Sequence, residues 1–183
     1  MKEGATALLI VDAQLGFLEG LEAVPEAALV TGHLAALLAS ARSAAAAVIH
    51  LQNDGVPGSV DEPGTPGWML HPMLEPEQGE VVLRKRNDDG FEGTELERIL
   101  ESRGVKRLVV GGLLSEMCVS ATIRGALARG LEVILVHDAH ATYNVDNISA
   151  AVVSRVAEHT LGDQVEIVES DRVAFERPTS GPG

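Results

Sequence analysis

Short runs of Leu, Val and Ile alternate along this chain with longer stretches whose apolar residues recur every three or four positions, and nothing else restricts the fold as strongly. Repeated strand–helix units of this kind bury a parallel sheet between helices. The first strand is Ala7-Leu8-Leu9-Ile10-Val11, a continuous apolar run of the sort covered on both faces, and it stops at Asp12. A helix is predicted from Pro25 to Ser43, with Leu29, Val30, Leu34, Leu37, Leu38 and Ala41 as the stripe that faces the sheet. Ala47 to Gln52 forms the second strand, ended by Asn53-Asp54-Gly55. From Val56 to Gly79 the chain is rich in Pro and Gly and has no period, so it is a binding loop, a lid or a misread element.

Glu80 to Leu83 is a short third strand, followed by the polar stretch Arg84 to Gly90. Thr94 then opens a helix with Glu97 placed to complete a capping box. Arg107 to Gly111 is the fourth strand. Met117 to Arg129 is the helix after it, with Gly130 as C-cap, and Glu132 to Val136 is the fifth strand. Asn147 to Glu158 is the last helix and Val165 to Val168 the sixth strand. The chain reads as one domain over residues 1–183, with 178–183 as a frayed tail.

A hydrophobic content of 45% in 183 residues suffices for a sizeable core. The net charge of −13 argues against nucleic acid and against an anionic membrane surface, both of which require basic patches. No apolar run approaches the roughly 20 residues of a membrane helix, and Met1-Lys2-Glu3-Gly4 carries no hydrophobic signal region. A cytoplasmic location is the expectation, and a single cysteine agrees with a reducing compartment.

Ligands of open parallel sheets bind beyond the carboxyl ends of the strands, near the point where strand order reverses. Three strand ends place reactive groups at that edge: Asp12 after the first, Lys85 just past the third and Cys118 on the turn after the fourth. Each has a plainer role open to it, since Asp12 can cap a turn, Lys85 can be one of the solvated charges of Arg84-Lys85-Arg86, and a free cysteine can simply pack. Together they offer an acid, a base and a nucleophile. A thiol at a helix N-terminus is expected to favour the thiolate.

The motifs Asp12-x-Gln14-x-x-Phe17, Lys85 with Phe91-Glu92-Gly93-Thr94 after it, Gly112-x-x-Ser115-x-x-Cys118-Val119-x-x-Thr122, and Asp138-Ala139 occur in this order between Ala7 and about Val168. With them the chain resembles the isochorismatase-like superfamily of cysteine hydrolases. The resemblance implies a three-layer, Rossmann-like α/β sandwich with a six-stranded, mainly parallel sheet in the order 3-2-1-4-5-6. It implies a catalytic triad of Asp12, Lys85 and Cys118, a cis peptide between Leu114 and Ser115, and an oxyanion hole made by the backbone N–H groups of Leu114 and Cys118. Hydrolysis of a small amide or related C–N bond through a thioester follows from it, with a dimer or tetramer as the expected assembly. A vinyl-ether hydrolase of the isochorismatase type that does not need the thiol, or a binding protein on the same fold, are the alternatives.

The departures from the family pattern matter as well. Nicotinamidases carry an Asp and several His that hold a metal after the second strand; here the region offers His50, Gln52, Asp54 and His71 without that close arrangement, so no metal and no cofactor are expected. Asp88-Asp89 stands where relatives often have Ser-Ala, which alters either the polarity of the pocket or only the loop. For the substrate pocket the candidates are Gln14, Phe17, Trp68 and Glu116. Trp68, the sole tryptophan, either stacks on a flat substrate or staples the long loop down, and Glu116 either faces substrate or satisfies the helix dipole. His137, Asp138 and His140, at the end of the fifth strand, read as structural hydrogen-bonding residues.

Overall fold

The computed structural model describes residues 4–175, so the predicted tail at 178–183 lies outside the described residues. Its centre is a parallel sheet of six strands: β1 (Ala5–Val11), β2 (Ala47–Asn53), β3 (Val81–Lys85), β4 (Val105–Leu113), β5 (Glu132–Ala141) and β6 (Val165–Val168). They lie in the order β3-β2-β1-β4-β5-β6, as the family resemblance implied. The order reverses between β1 and β4, which pair from Thr6↔Arg107 to Val11↔Gly112.

Strand alternation divides the core. Ala7, Leu9 and Val11 of β1 point to one side, together with Leu108 and Val110 of β4, and meet Leu96 and Leu100 of α3 (Leu96–Ser102) and Ile123 and Ala126 of α4 (Ser120–Ala128). Leu161, at the end of α5 (Ala150–Leu161), closes that layer. Leu8 and Ile10 point the other way, towards Leu34, Leu37 and Leu38 of α2 (Ala27–Ser43) and Leu18 of the one-turn α1 (Leu15–Leu18). Both faces of the sheet are thus covered, which is why β1 is wholly apolar from Ala7 to Val11.

Several expectations need correction. Leu29 does not join the buried stripe of α2 and is 61% exposed, because Ala27, Val30, Thr31, Leu34, Leu37, Leu38 and Ala41 already fill the inward positions at helical spacing. The capping box before α3 does not form. Thr94 Oγ1 instead donates to the Gly90 carbonyl at 2.6 Å and accepts from Leu96 N at 3.2 Å, while Glu97 pairs with Arg129 at 3.0 Å. Strand β3 begins one residue later than predicted and runs two residues further, so Lys85 is its last residue, held in register opposite Asn53. Strand β5 also continues past Val136. The register shifts from Val110↔Leu135 to Gly112↔His140, a bulge that carries His140 to the level of the β4 terminus.

The loop between β2 and β3 is ordered by specific ties. Two single 3₁₀ turns, Pro66–Trp68 and Pro72–Leu74, interrupt it, and Leu74 is buried against α2. At its far end Glu80 accepts from Arg42 at 2.7 and 3.0 Å, from Glu77 N at 3.0 Å and contacts His50 Nε2 at 3.1 Å. Burial alone would raise the Glu80 carboxyl, but these partners outweigh it and hold the group at about 2. Among the described residues no helix is long and apolar enough to cross a membrane.

Candidate active site

Asp12 follows the last residue of β1 in a left-handed conformation, φ 48°, which aspartate tolerates better than most residues. Its N–H still donates to Leu51 O at 3.0 Å, so the side chain turns over the end of the sheet without losing the strand's hydrogen bonding. Lys85, at the end of β3, reaches across to it: Nζ lies 2.7 Å from Asp12 Oδ2. The same ammonium is 3.2 Å from Cys118 Sγ, from Asn53 Oδ1 and from the Asn87 carbonyl. The Lys85 and Asp12 side chains are essentially sealed, at 0% and 2% exposure, whereas Cys118 is half-buried. The three residues singled out at the sheet edge therefore converge on one point.

The turn that carries Cys118 is built after β4. The chain leaves β4 through a cis peptide between Leu113 and Leu114, one bond earlier than the expected Leu114–Ser115. Leu113 is still paired with Ala141 of β5, so the backbone changes direction at the bond directly after the last paired residue. Ser115–Val119 then forms a wide helical turn, kinked at Met117, in which Leu114 O accepts from Met117 N and Val119 N at 3.1 and 3.2 Å. Helix α4 begins at Ser120, so Cys118 stands just ahead of it rather than inside it.

The electrostatics differ from expectation. Burial and the neighbouring Asp12 carboxylate push the Cys118 thiol well above its ordinary value, and Lys85 only partly opposes them. Cys118 therefore rests as a thiol, not as a thiolate. Burial also raises Asp12, to about 6 against the pull of Lys85, so Asp12 is ionised at neutral pH. Lys85 is raised: burial lowers it, but Asp12 and Cys118 more than compensate. A proton on sulfur, an ionised carboxylate beside it and a fixed ammonium holding both is an arrangement for moving a proton from Cys118 to Asp12.

The pocket candidates separate. Gln14 is wholly buried and uses its amide on the backbone, donating to Asn53 O and Trp68 O at 3.0 Å each and accepting from Asn53 N at 2.8 Å. It is a strut that joins the β1 turn to the long loop. Trp68 donates from Nε1 to Asp54 at 3.0 Å, lies under the Arg84 guanidinium, and has its carbonyl held by both Gln14 and Gln52. These ties fasten the loop to the sheet edge. Phe17 is half-buried against the α2 layer, and Glu116 accepts from Thr142 Oγ1 at 2.9 Å with its surface open to solvent.

His50, Asp54 and His71 are each engaged apart from one another: His50 with Glu80, Asp54 with Trp68 and Arg84, and His71 with Glu19 and Met73 N. Among the described residues no three His, Cys, Asp or Glu side chains are grouped to hold a metal ion. His137 and His140 both meet Glu158 Oε1, at 2.5 and 3.0 Å, and His140 Nδ1 lies 2.8 Å from Ser115 Oγ. This buried chain supports the start of the cysteine turn, in keeping with the structural reading of those histidines. Asp138 binds Ser170 and His33.

Sequence reasoning missed Asn53 and Asp61. Asn53 accepts from Lys85 at Oδ1 and donates from Nδ2 to the buried Asp61 at 2.6 Å. Asn53 sat in a stretch that reads only as a strand-ending turn, and Asp61 in a loop without period, so neither carried a signal.

A thiol, a carboxylate and an ammonium are thus gathered at the switch point of the doubly wound parallel sheet, the place where ligands of such sheets bind. Comparison with known proteins gives the lineage. Residues 6–165 match the model of the Isochorismatase domain, and the chain belongs to the isochorismatase family. It is 53% identical over 184 residues to a streptothricin hydrolase of Streptomyces noursei, covering 96% of this chain and 67% of that protein. Among solved structures, an isochorismatase from Pseudomonas putida superposes with a TM-score of 0.87 at 30% identity, over 92% of this chain and 90% of the other. An N-carbamoylsarcosine amidase from Thermoplasma acidophilum does so with a TM-score of 0.78 at 28% identity, over 92% and 98%.

Proposed function

We propose that the protein is a cysteine-dependent amidohydrolase acting on a small amide, with a streptothricin as the first substrate to test. The observation that carries the reading is the contact of one buried ammonium with both Asp12 and Cys118. Asp12 takes the thiol proton as Sγ attacks the amide carbonyl, and the N–H groups of Leu114 and Cys118 receive the developing oxyanion. Loss of one such donor typically costs about 100- to 1,000-fold in rate. The C–N bond then breaks, and the proton held by Asp12 passes to the departing nitrogen. Water, deprotonated by Asp12, attacks the thioester and releases the acid and the thiol. Lys85 keeps its charge throughout and holds Asp12 and Cys118 in place. The similarity to a streptothricin hydrolase supports the choice of substrate.

Intact-mass spectrometry of wild type and Cys118→Ala after mixing with a streptothricin, carbamoylsarcosine, nicotinamide and isochorismate tests the reading. The expected result is a transient acyl adduct on wild type with hydrolysed amide accumulating, and neither on the variant. Turnover of isochorismate by Cys118→Ala at the wild-type rate would overturn it in favour of vinyl-ether hydrolysis.

The acidity of Asp12 adds a pH prediction. Below about pH 6 Asp12 is protonated and has no room for the thiol proton, so kcat/KM is expected to rise with pH through about 6 and then level. A profile that stays flat down to pH 4 would remove Asp12 as the base.

A further inference from the structure

Asp88 and Asp89 stand side by side in the polar stretch between Lys85 and Phe91, and the structure separates them. Asp89 turns back to its own loop, accepting from Phe91 N at 2.9 Å and lying against Gly125. Asp88 turns to the site: its Oδ1 stands 3.6 Å from Cys118 Sγ, open to solvent. The loop backbone there is fixed, since Gly90 N donates to Thr122 Oγ1 at 2.9 Å and Thr122 Oγ1 donates to the Asp88 carbonyl at 3.3 Å.

Among the described residues no cation answers this carboxylate. Lys85 is held by Asp12, and Arg84 and Arg86 both turn to Asp54, at 2.7 and 3.9 Å. On the buried side of the same site Asp12 Oδ1 also lacks a donor, although Asp12 is only 2% exposed. The sulfur thus has carboxylate oxygen on its solvent side and on its buried side, with neither group fully matched by the protein. Among the described residues the Asp88 carboxylate accepts only from the thiol of Cys118; so close to a nucleophilic sulfur it opposes negative charge and favours a ligand that brings positive charge and N–H donors of its own.

We propose that Asp88 is a specificity-determining residue that selects substrates carrying an ammonium or guanidinium group next to the scissile amide, and that disfavours anionic ones. The proposal rests on Cys118 being the nucleophile. The chain's net charge of −13 would draw such a cation in over a longer range. Two unit charges 4 Å apart in bulk water alter a rate or equilibrium constant by about fivefold, and that sets the scale of the effect at this exposed position.

The test compares alkylation of Cys118 by 2-bromoethylammonium, iodoacetamide and iodoacetate at low salt, followed by intact mass on wild type and Asp88→Asn. Each rate is divided by that of free cysteine with the same reagent, and the ratio between reagents cancels any general change in thiol reactivity. The ratio of the ammonium reagent to the carboxylate reagent is expected to fall about 25-fold in Asp88→Asn, fivefold from each reagent. A ratio unchanged within about twofold would overturn the proposal. Hydrolysis of β-alaninamide against its neutral analogue butyramide separates the two readings. If neither these amides nor a streptothricin is hydrolysed but the alkylation ratio shifts, the amidase reading fails and Asp88 keeps its role. If both are hydrolysed through Cys118 and the ratio does not shift, the reverse holds.

Discussion

Lys85→Met is expected to destabilise the protein by about 3–5 kcal/mol and to lower activity by at least about 100-fold. Lys85 Nζ has four acceptors around it, Asp12, Asn53, the Asn87 carbonyl and Cys118, and its side chain is fully buried. Methionine fills similar volume but leaves the Asp12 carboxylate sealed without its cation. Asp12 is already raised to about 6 by burial, which exceeds the opposing pull of Lys85, so losing the ammonium drives it further towards the protonated form that cannot take the thiol proton. The sign of the stability effect follows from the same balance. With a folded-state value above the unfolded one, Asp12 contributes stability that is complete below about pH 4 and lost as pH rises through about 6. Urea unfolding at pH 7 and pH 4 measures this: Lys85→Met should lose more at pH 7. The double variant Lys85→Met/Asp12→Asn should recover most of the stability and none of the activity. A single variant as stable as wild type at pH 7 would mean that the pair is not coupled.

Gly112→Ala is expected to cost more than about 4 kcal/mol or to prevent folding. Gly112 has φ 128°, and a Cβ built there would come within 2.0 Å of Val11 O and 2.6 Å of Val11 N. Those atoms are the backbone of β1, paired with β4 at the centre of the sheet, so neither side can give way. Gly58→Ala is the control. It also sits at positive φ, 87°, but has nothing within 4 Å of the added carbon, so only the conformational cost of roughly 1 kcal/mol should appear. Equal losses in the two variants would show that backbone conformation, not the close approach to Val11, decides the matter.

The sheet was legible because its strands are continuous apolar runs, and burial on both faces demands that pattern. Helix α2 was legible for the matching reason, although Leu29 shows that a leucine near the stripe need not lie on it. The strand ends were harder to place. Lys85 and Asn53 look like loop residues, yet the parallel ladder carries both to the last register position, where their side chains meet. The β5 bulge leaves no mark in composition, and without it His140 would read as a distal residue rather than a partner of Ser115. The charge state of Cys118 was misread because a helix N-terminus was weighed and burial beside a carboxylate was not. Three-dimensional proximity, not residue type, decided each of these.

A thiol kept protonated at rest has a consequence for chemical endurance. Peroxides and disulfides react with thiolate, so a cysteine whose proton leaves only when Asp12 can receive it climbs the oxidation ladder slowly. The chain holds no second cysteine that could resolve a sulfenic acid as an internal disulfide. Once oxidised, Cys118 would depend on an external thiol for its return, and the same burial that slows its ionisation is what postpones that dependence.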